Sequence, residues 1–246
     1  MRYLLFQLYG LLSAWGSPGA GTIRRTDDHP SKSGILGIVA ACLGIEPDKE
    51  EELAILQNSI GYGCREDIPG NYLVDFHTVR PESSTSLVAY WNKIREGLPT
   101  DEKEDNLILS DRHYLTGALF TVCLWEKAKG TSLDTIAEAL SKPVFGPYLG
   151  RKCCALCLPF GQTIITAENL KEAFNLFMPD KAYMLQDNRF SANPRVFWEG
   201  SDKSIPVVSP RTRKDCLKSR RTWAYTRRIE FEGVIEGSKR CTIKQS

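Results

Sequence analysis

No stretch of this 246-residue chain runs through the roughly 18 or more apolar residues that a membrane-spanning helix needs. Histidine is scarce: only His29, His77 and His113 offer general acid–base chemistry near neutral pH. No G-x-x-x-x-G-K-[ST] loop and no strand-coupled G-x-G-x-x-G occurs, which leaves nucleotide hydrolysis and dinucleotide binding without support. G-x-S-x-G and H-E-x-x-H are missing as well. There is no internal repeat and no low-complexity run. Net charge is only +2, from 32 Lys plus Arg against 30 Asp plus Glu, so the overall balance selects no partner.

What is present is enough apolar material for a core, 42% of residues with 10% aromatic, without help from disulfides or metal. Gln7, Tyr9 and Gly10 interrupt the apolar N-terminus, and Leu4, Phe6 and Leu8 alternate with Tyr3, Leu5 and Gln7. That pattern reads as a half-buried strand and not as a secretory signal. The eight cysteines are then expected as reduced thiols of a cytoplasmic protein. Cys153, Cys154 and Cys157 contain a single C-x-x-C with no second pair at zinc-finger distance, so neither a metal site nor a cofactor is expected.

Charge is distributed unevenly. From Glu46 to Asp111 there are 15 acidic and 6 basic residues, and from Pro210 to Arg228 there are 8 basic and one acidic. A basic pole suits a polyanion, whereas an acidic stretch cannot lie on the same phosphate backbone. Two solvated faces of an ordinary globule would give the same count.

Along the chain, a strand over Arg2–Tyr9 is followed by a glycine-rich loop carrying Arg24 and Arg25, then Ser31-Lys32-Ser33-Gly34 and an apolar helix over Ile35–Ile45. A second, acidic helix fits 46–58 and a strand 59–65. Residues 68–113 turn polar, with strand-like arms at 72–79 and 107–114, as in a long hairpin leaving the core. A buried strand over 118–125, a helix over 132–141 and a strand over 153–158 complete the order strand, helix, strand, strand, helix, strand. This is an α+β pattern with a ferredoxin-like, RRM-like core. A helix over 167–178 and strand candidates at 195–198, 205–208 and 223–231 suggest a small, mostly β C-terminal lobe over 159–246. Three segments, Arg24-Arg25, Ser31-Lys32-Ser33 and Tyr148-Leu149-Gly150-Arg151-Lys152, combine cations with small residues at the ends of core elements. Such loops let backbone N–H groups approach phosphate and let Arg stack on an unpaired base, which points to single-stranded RNA. Each segment taken singly is also a solvated turn.

Five ordered blocks carry a resemblance to a known family. They are Leu11–Gly16, His29–Ile45, Asp75–Val79, Arg112–Val122 and Lys142–Lys152, and they resemble the CasD-type RAMP proteins of the CRISPR-associated protein five family, found in the type I-E effector Cascade. The resemblance implies a ferredoxin-like RAMP domain over 1–158 with a thumb insertion at about 68–113, and a non-catalytic subunit that binds the 5′ handle of the crRNA and caps the backbone of the effector. It implies as partners the crRNA and other Cascade subunits, above all the adjacent backbone subunit and the large subunit, with target DNA met indirectly and no membrane. Carried over by position, Trp15, Arg24, Arg25, Ser31, Lys32 and Ser33 would line the handle surface. His77, Arg80, Arg112, His113 and Tyr114 would lie on the hairpin, and Tyr148, Arg151 and Lys152 would form a second wall. Relatives place Thr-Arg-Ser before the first helix where this chain has Ser31-Lys32-Ser33; Lys keeps the charge and loses the planar fork. One branch of the same family cuts precursor crRNA without metal, so an endoribonuclease using His77 or His113 with Lys152 and Tyr148 is the alternative.

Overall fold

The computed structural model describes residues 1–16, 22–79, 96, 108–178, 189–222 and 224–237. Alternation in β1 (Arg2–Tyr9) sends Leu4, Phe6 and Leu8 into one apolar cluster and Tyr3 and Leu5 into another. The strand is therefore buried on both faces, where the sequence suggested one. Four short strands follow: β2 (Leu12–Ser13), β3 (Trp15–Gly16), β4 (Ile23–Arg24) and β5 (Thr26–Asp27). Helix α1 (Lys32–Leu43) starts at Ser31, whose Oγ accepts from the Gly34 N–H at 3.1 Å, and stops at Gly44, left-handed at φ 77°. Ser at the cap and Gly at the stop are what these two backbone conformations favour.

Helix α2 (Glu50–Ser59) starts later than the acidic run suggested, and leads into β6 (Ile60–Ile68), every residue of which is buried. Strands β7 (Asn71–Val79) and β8 (Ile108–Thr116) pair antiparallel over nine residues each, and β9 (Leu119–Glu126) returns to the core. The tip of the expected thumb, including Arg80 and the acidic run 101–105, lies outside the described residues. Helix α3 (Leu133–Ser141) begins at Ser132, which caps the Thr135 N–H, and buries Leu133, Ile136 and Leu140. Next come β10 (Thr163–Thr166), α4 (Leu170–Leu176), β11 (Arg195–Trp198), β12 (Val207–Ser219) and β13 (Ala224–Val234).

The fold is mixed α/β with mostly antiparallel sheets. The main sheet has the order β10-β1-β9-β6-β11-β13-β12. Apolar residues of α1 and α3 meet one of its faces with Phe6, Phe120 and Leu124, and Leu170, Ala173 and Phe174 from α4 cover the other. Two expectations change here. The apolar run Cys153–Leu158 forms no strand; it makes the isolated bridge Tyr148↔Ala155 and one bond from the Cys157 N–H to the Tyr9 carbonyl at 2.8 Å, and β10 instead pairs with β1 along Arg2–Leu5. Residues after 158 also continue the sheet of the core, because β11 pairs with β6, so the expected division at 158/159 falls within one continuous sheet.

Candidate nucleic-acid interface

Strand β8 organises the surface. One of its edges pairs with β7, and along the other β2 and the parallel strand β4 follow one another. Asp75, Arg112 and Arg24 fall in one register row across β7, β8 and β4 and so share a face. Arg24 and Arg25 are exposed, and Arg112 and His113 are half-buried. His77, on the same face as Asp75, holds that carboxylate at 2.6 Å.

The loop 148–154 packs beside this row, with Arg151 against Tyr114 on the same face of β8. Leu149 donates from its N–H to the Cys154 carbonyl at 2.8 Å and accepts from the Ala14 N–H at 3.0 Å. Gly150 is left-handed at φ 87°, and a Cβ there would stand 1.8 Å from the Ala14 carbonyl oxygen, so only glycine fits. From this turn Arg151 lays its guanidinium 4.6 Å over the ring of buried Tyr114 and donates to the carbonyls of His113 and Arg24. Tyr148 and Lys152 stay exposed beside it. Among the described residues, Arg24, Arg25, Arg112, Arg151 and Lys152 have no carboxylate partner within ion-pair distance.

The second basic region contrasts with the first. Arg228 grips Asp215 at 2.7 Å and Glu230 at 2.5 Å, Arg213 meets Asp27 at 3.0 Å, Arg211 meets Glu232 at 2.5 Å, and Arg195 meets Glu66 and Asp28. His29 sits fully buried at the centre, stacked on Phe197 at 3.6 Å, between Asp28 at 2.7 Å and Glu230 at 2.9 Å. Burial works to lower the His29 pKa, but the two carboxylates outweigh it and raise it above the ordinary value. Glu230 is likewise desolvated, yet its contacts with His29 and the arginines hold it down at about 2. Three of the eight basic side chains at 210–228, Arg211, Arg213 and Arg228, are thus paired with carboxylates within the fold.

Several expected contacts are corrected by burial. Lys32 is 1% exposed and its Nζ donates to Glu199 at 2.6 Å; burial pulls its ammonium below the ordinary range while Glu199 opposes. Trp15 is buried with its ring edge-on to Phe120, and its backbone N–H donates to Thr26 Oγ1. Ser31 is buried as the helix cap, with Ser33 Oγ at 3.3 Å, and Tyr114 lies under Arg151. The side chains of Trp15, Ser31, Lys32 and Tyr114 are therefore buried in the fold, where the sequence reading expected them on the surface. Glu199, Asp215 and Glu230, which the sequence reading did not single out, are the partners that take up Lys32, the α1 N-terminus and His29. They stand 167, 183 and 201 residues away in sequence, beyond any local signal.

Comparison with known proteins accords with this arrangement. The family profile described as "CRISPR-associated protein (Cas_Cas5)" matches residues 3–228. The chain is 35% identical over 161 residues to the CRISPR system Cascade subunit CasD of Escherichia coli (strain K12), covering 64% of this chain and 68% of that protein. A chain of a CRISPR RNA-guided surveillance complex superposes with a TM-score of 0.67 at 25% identity, over 95% of this chain and 89% of that one. A crystal structure of a Cas protein shares the fold, with a TM-score of 0.57 at 22% identity over 96% of this chain and 95% of its own. With the family profile covering nearly the whole chain and CasD as a relative, the protein belongs to the CRISPR-associated Cas5 family, on the type I-E Cascade branch.

Proposed function

We propose that this chain is a non-catalytic subunit of a type I-E Cascade complex in the cytoplasm, where it holds the 5′ handle of the crRNA and caps the backbone, supporting RNA-guided recognition of DNA. The observation that carries this reading is the group of uncompensated cations, Arg24, Arg25, Arg112 and Lys152, gathered with exposed Tyr148 around the root of the β7–β8 hairpin. Cations without carboxylate partners are free to replace phosphate counterions, and an exposed aromatic ring can stack a splayed base. The order β10-β1-β9-β6, with α1 and α3 as the two crossovers, supports a ferredoxin-like RAMP core, and β7–β8 supports a thumb.

The histidines support a non-catalytic role. His29 is fully buried in ion pairs, His77 is bound to Asp75, and His113 alternates to the opposite face of β8 from Arg112 and Tyr114. Among the described residues, no hydrogen bond or ion pair joins His77 or His113 to Lys152 or Tyr148. The test is to purify the chain and titrate a labelled RNA carrying the CRISPR repeat of the source genome. Selective binding without cleavage, with log affinity falling against log salt at a slope of about −3 for some four phosphate contacts, is expected. A slope near zero would sink the reading. Metal-independent cutting abolished by His77→Ala or His113→Ala would make the chain an endoribonuclease. Co-expression with the remaining Cascade subunits should recover it in a complex with crRNA.

A further inference from the structure

We propose that Arg151 is a positioning residue of the RNA surface, locking the Arg24 strand to the His113 strand, and that it acts on RNA through them. This rests on the RNA-binding reading above. Its Nη1 donates to the His113 carbonyl at 3.0 Å and its Nη2 to the Arg24 carbonyl at 2.7 Å, while the guanidinium plane lies over Tyr114. These acceptors stand 38 and 127 residues from Arg151 in sequence. One side chain therefore ties together two segments that the chain connects only distantly.

The tie matters because β4 is two residues long. Its pairing to β8 is limited to the rows Ile23↔Asp111 and Arg24↔Arg112, with one flanking bond from the Asp111 N–H to the Thr22 carbonyl at 3.1 Å. So short a strand has little cooperative support of its own. The opposite end of the tie is firm. The turn is held by Leu149, 1% exposed, and Cys154, fully buried, by the bond from the Cys154 N–H to the Arg151 carbonyl at 2.8 Å, and by Gly150 pressed against Ala14. Stacking on a ring while donating in two directions needs a planar fork, which a lysine ammonium does not have. A phosphate ligand, by contrast, reads chiefly charge, which lysine retains.

The experiment measures repeat-RNA affinity over a salt series for the wild-type chain, Arg24→Ala, Arg151→Ala, Arg151→Lys and the Arg24→Ala/Arg151→Ala double variant. Thermal melts check that each folds. Arg151→Ala should weaken binding about tenfold, as expected for loss of two charge-assisted hydrogen bonds, and Arg151→Lys should not restore it. In the Arg24→Ala background, Arg151→Ala should add less than about twofold, with no further change in slope. Full additivity with a further flattening of about 0.7 would make Arg151 a direct phosphate ligand and overturn the proposal. Rescue by Lys would do the same. Amide exchange of the RNA-free protein supplies an independent arm: protection over 22–26 should fall in Arg151→Ala while β1 and β9 stay protected. Unchanged protection there refutes the tie, even if a wild-type chain that binds no repeat RNA has already refuted the functional reading.

Discussion

Lys32 and His29 sit in the stretch of sequence that looks most like a phosphate-binding helix start, and both are spent on holding the chain together. Removing one partner of a buried ion pair leaves the other charge without compensation, at a cost of about 3–5 kcal/mol. Lys127 remains 3.0 Å from Glu199, so Lys32→Ala should fall near the lower end, measured by denaturant unfolding. The RNA salt slope of the folded variant should equal that of wild type; flattening by about 0.7 would return Lys32 to the RNA surface. For His29 the raised folded-state pKa means that its contribution is complete below the ordinary value of 6.5 and is lost as pH rises through the folded value. Asp28 and Glu230 are shifted down, so theirs is present above their ordinary 3.8 and 4.5 and is lost on acidification. The stability advantage of wild type over His29→Gln should therefore be largest from about pH 5 to 6.5 and shrink across a titration to alkaline pH. An advantage that is flat across that range would mean that the imidazole works only as a stacking and hydrogen-bonding ring on Phe197.

Elements announced themselves in the sequence where the signal was local. Ser31 before α1, Ser132 before α3 and the alternation of Tyr3 to Leu8 each placed an element within a few residues of its observed position. Cys153–Leu158 failed because apolar content marks a segment for burial without saying against what. Cys154 is buried by a turn, and the β-branched run Thr163-Ile164-Ile165-Thr166 wins the edge of β1. At the site, the exposed cations Arg24, Arg25 and Lys152 were legible as a loop pattern. That Lys32 faces inward was not, since its partner Glu199 is fixed only by the β6–β11 pairing. Gly150 shows how much one turn carries. Gly150→Ala adds a Cβ at 1.8 Å from a backbone oxygen in a left-handed conformation, so the turn must shift, at a cost of at least about 2 kcal/mol. The variant should melt lower and lose RNA affinity together with protection over 22–26. A fully stable Gly150→Ala chain would mean that the turn is free to move.

At the scale of the whole molecule, the question is whether 159–246 is an appendage or part of the same folding unit. That segment supplies β10 to one side of β1, β11 to the far side of β6, and α4 to the face beneath Tyr3, Leu5 and Cys123. It also supplies Glu199, Asp215 and Glu230, the carboxylates that compensate Lys32, cap the Lys32 N–H at 2.8 Å and hold His29. A chain ending at 158 would leave two long unpaired strand edges, an uncovered apolar face and a buried ammonium with no partner. None of these can be relieved locally, because the remaining residues already form their own contacts on the opposite face through α1 and α3. The 1–158 fragment should therefore show no cooperative thermal transition and should bind hydrophobic dye or aggregate, while the full chain melts in one step. Supplying 159–246 in trans should restore a cooperative transition if the sheet can be completed from two pieces. A sharp melt of 1–158 alone would instead establish the C-terminal segment as a separate lobe, and would make the ion pairs around His29 an interface between two domains.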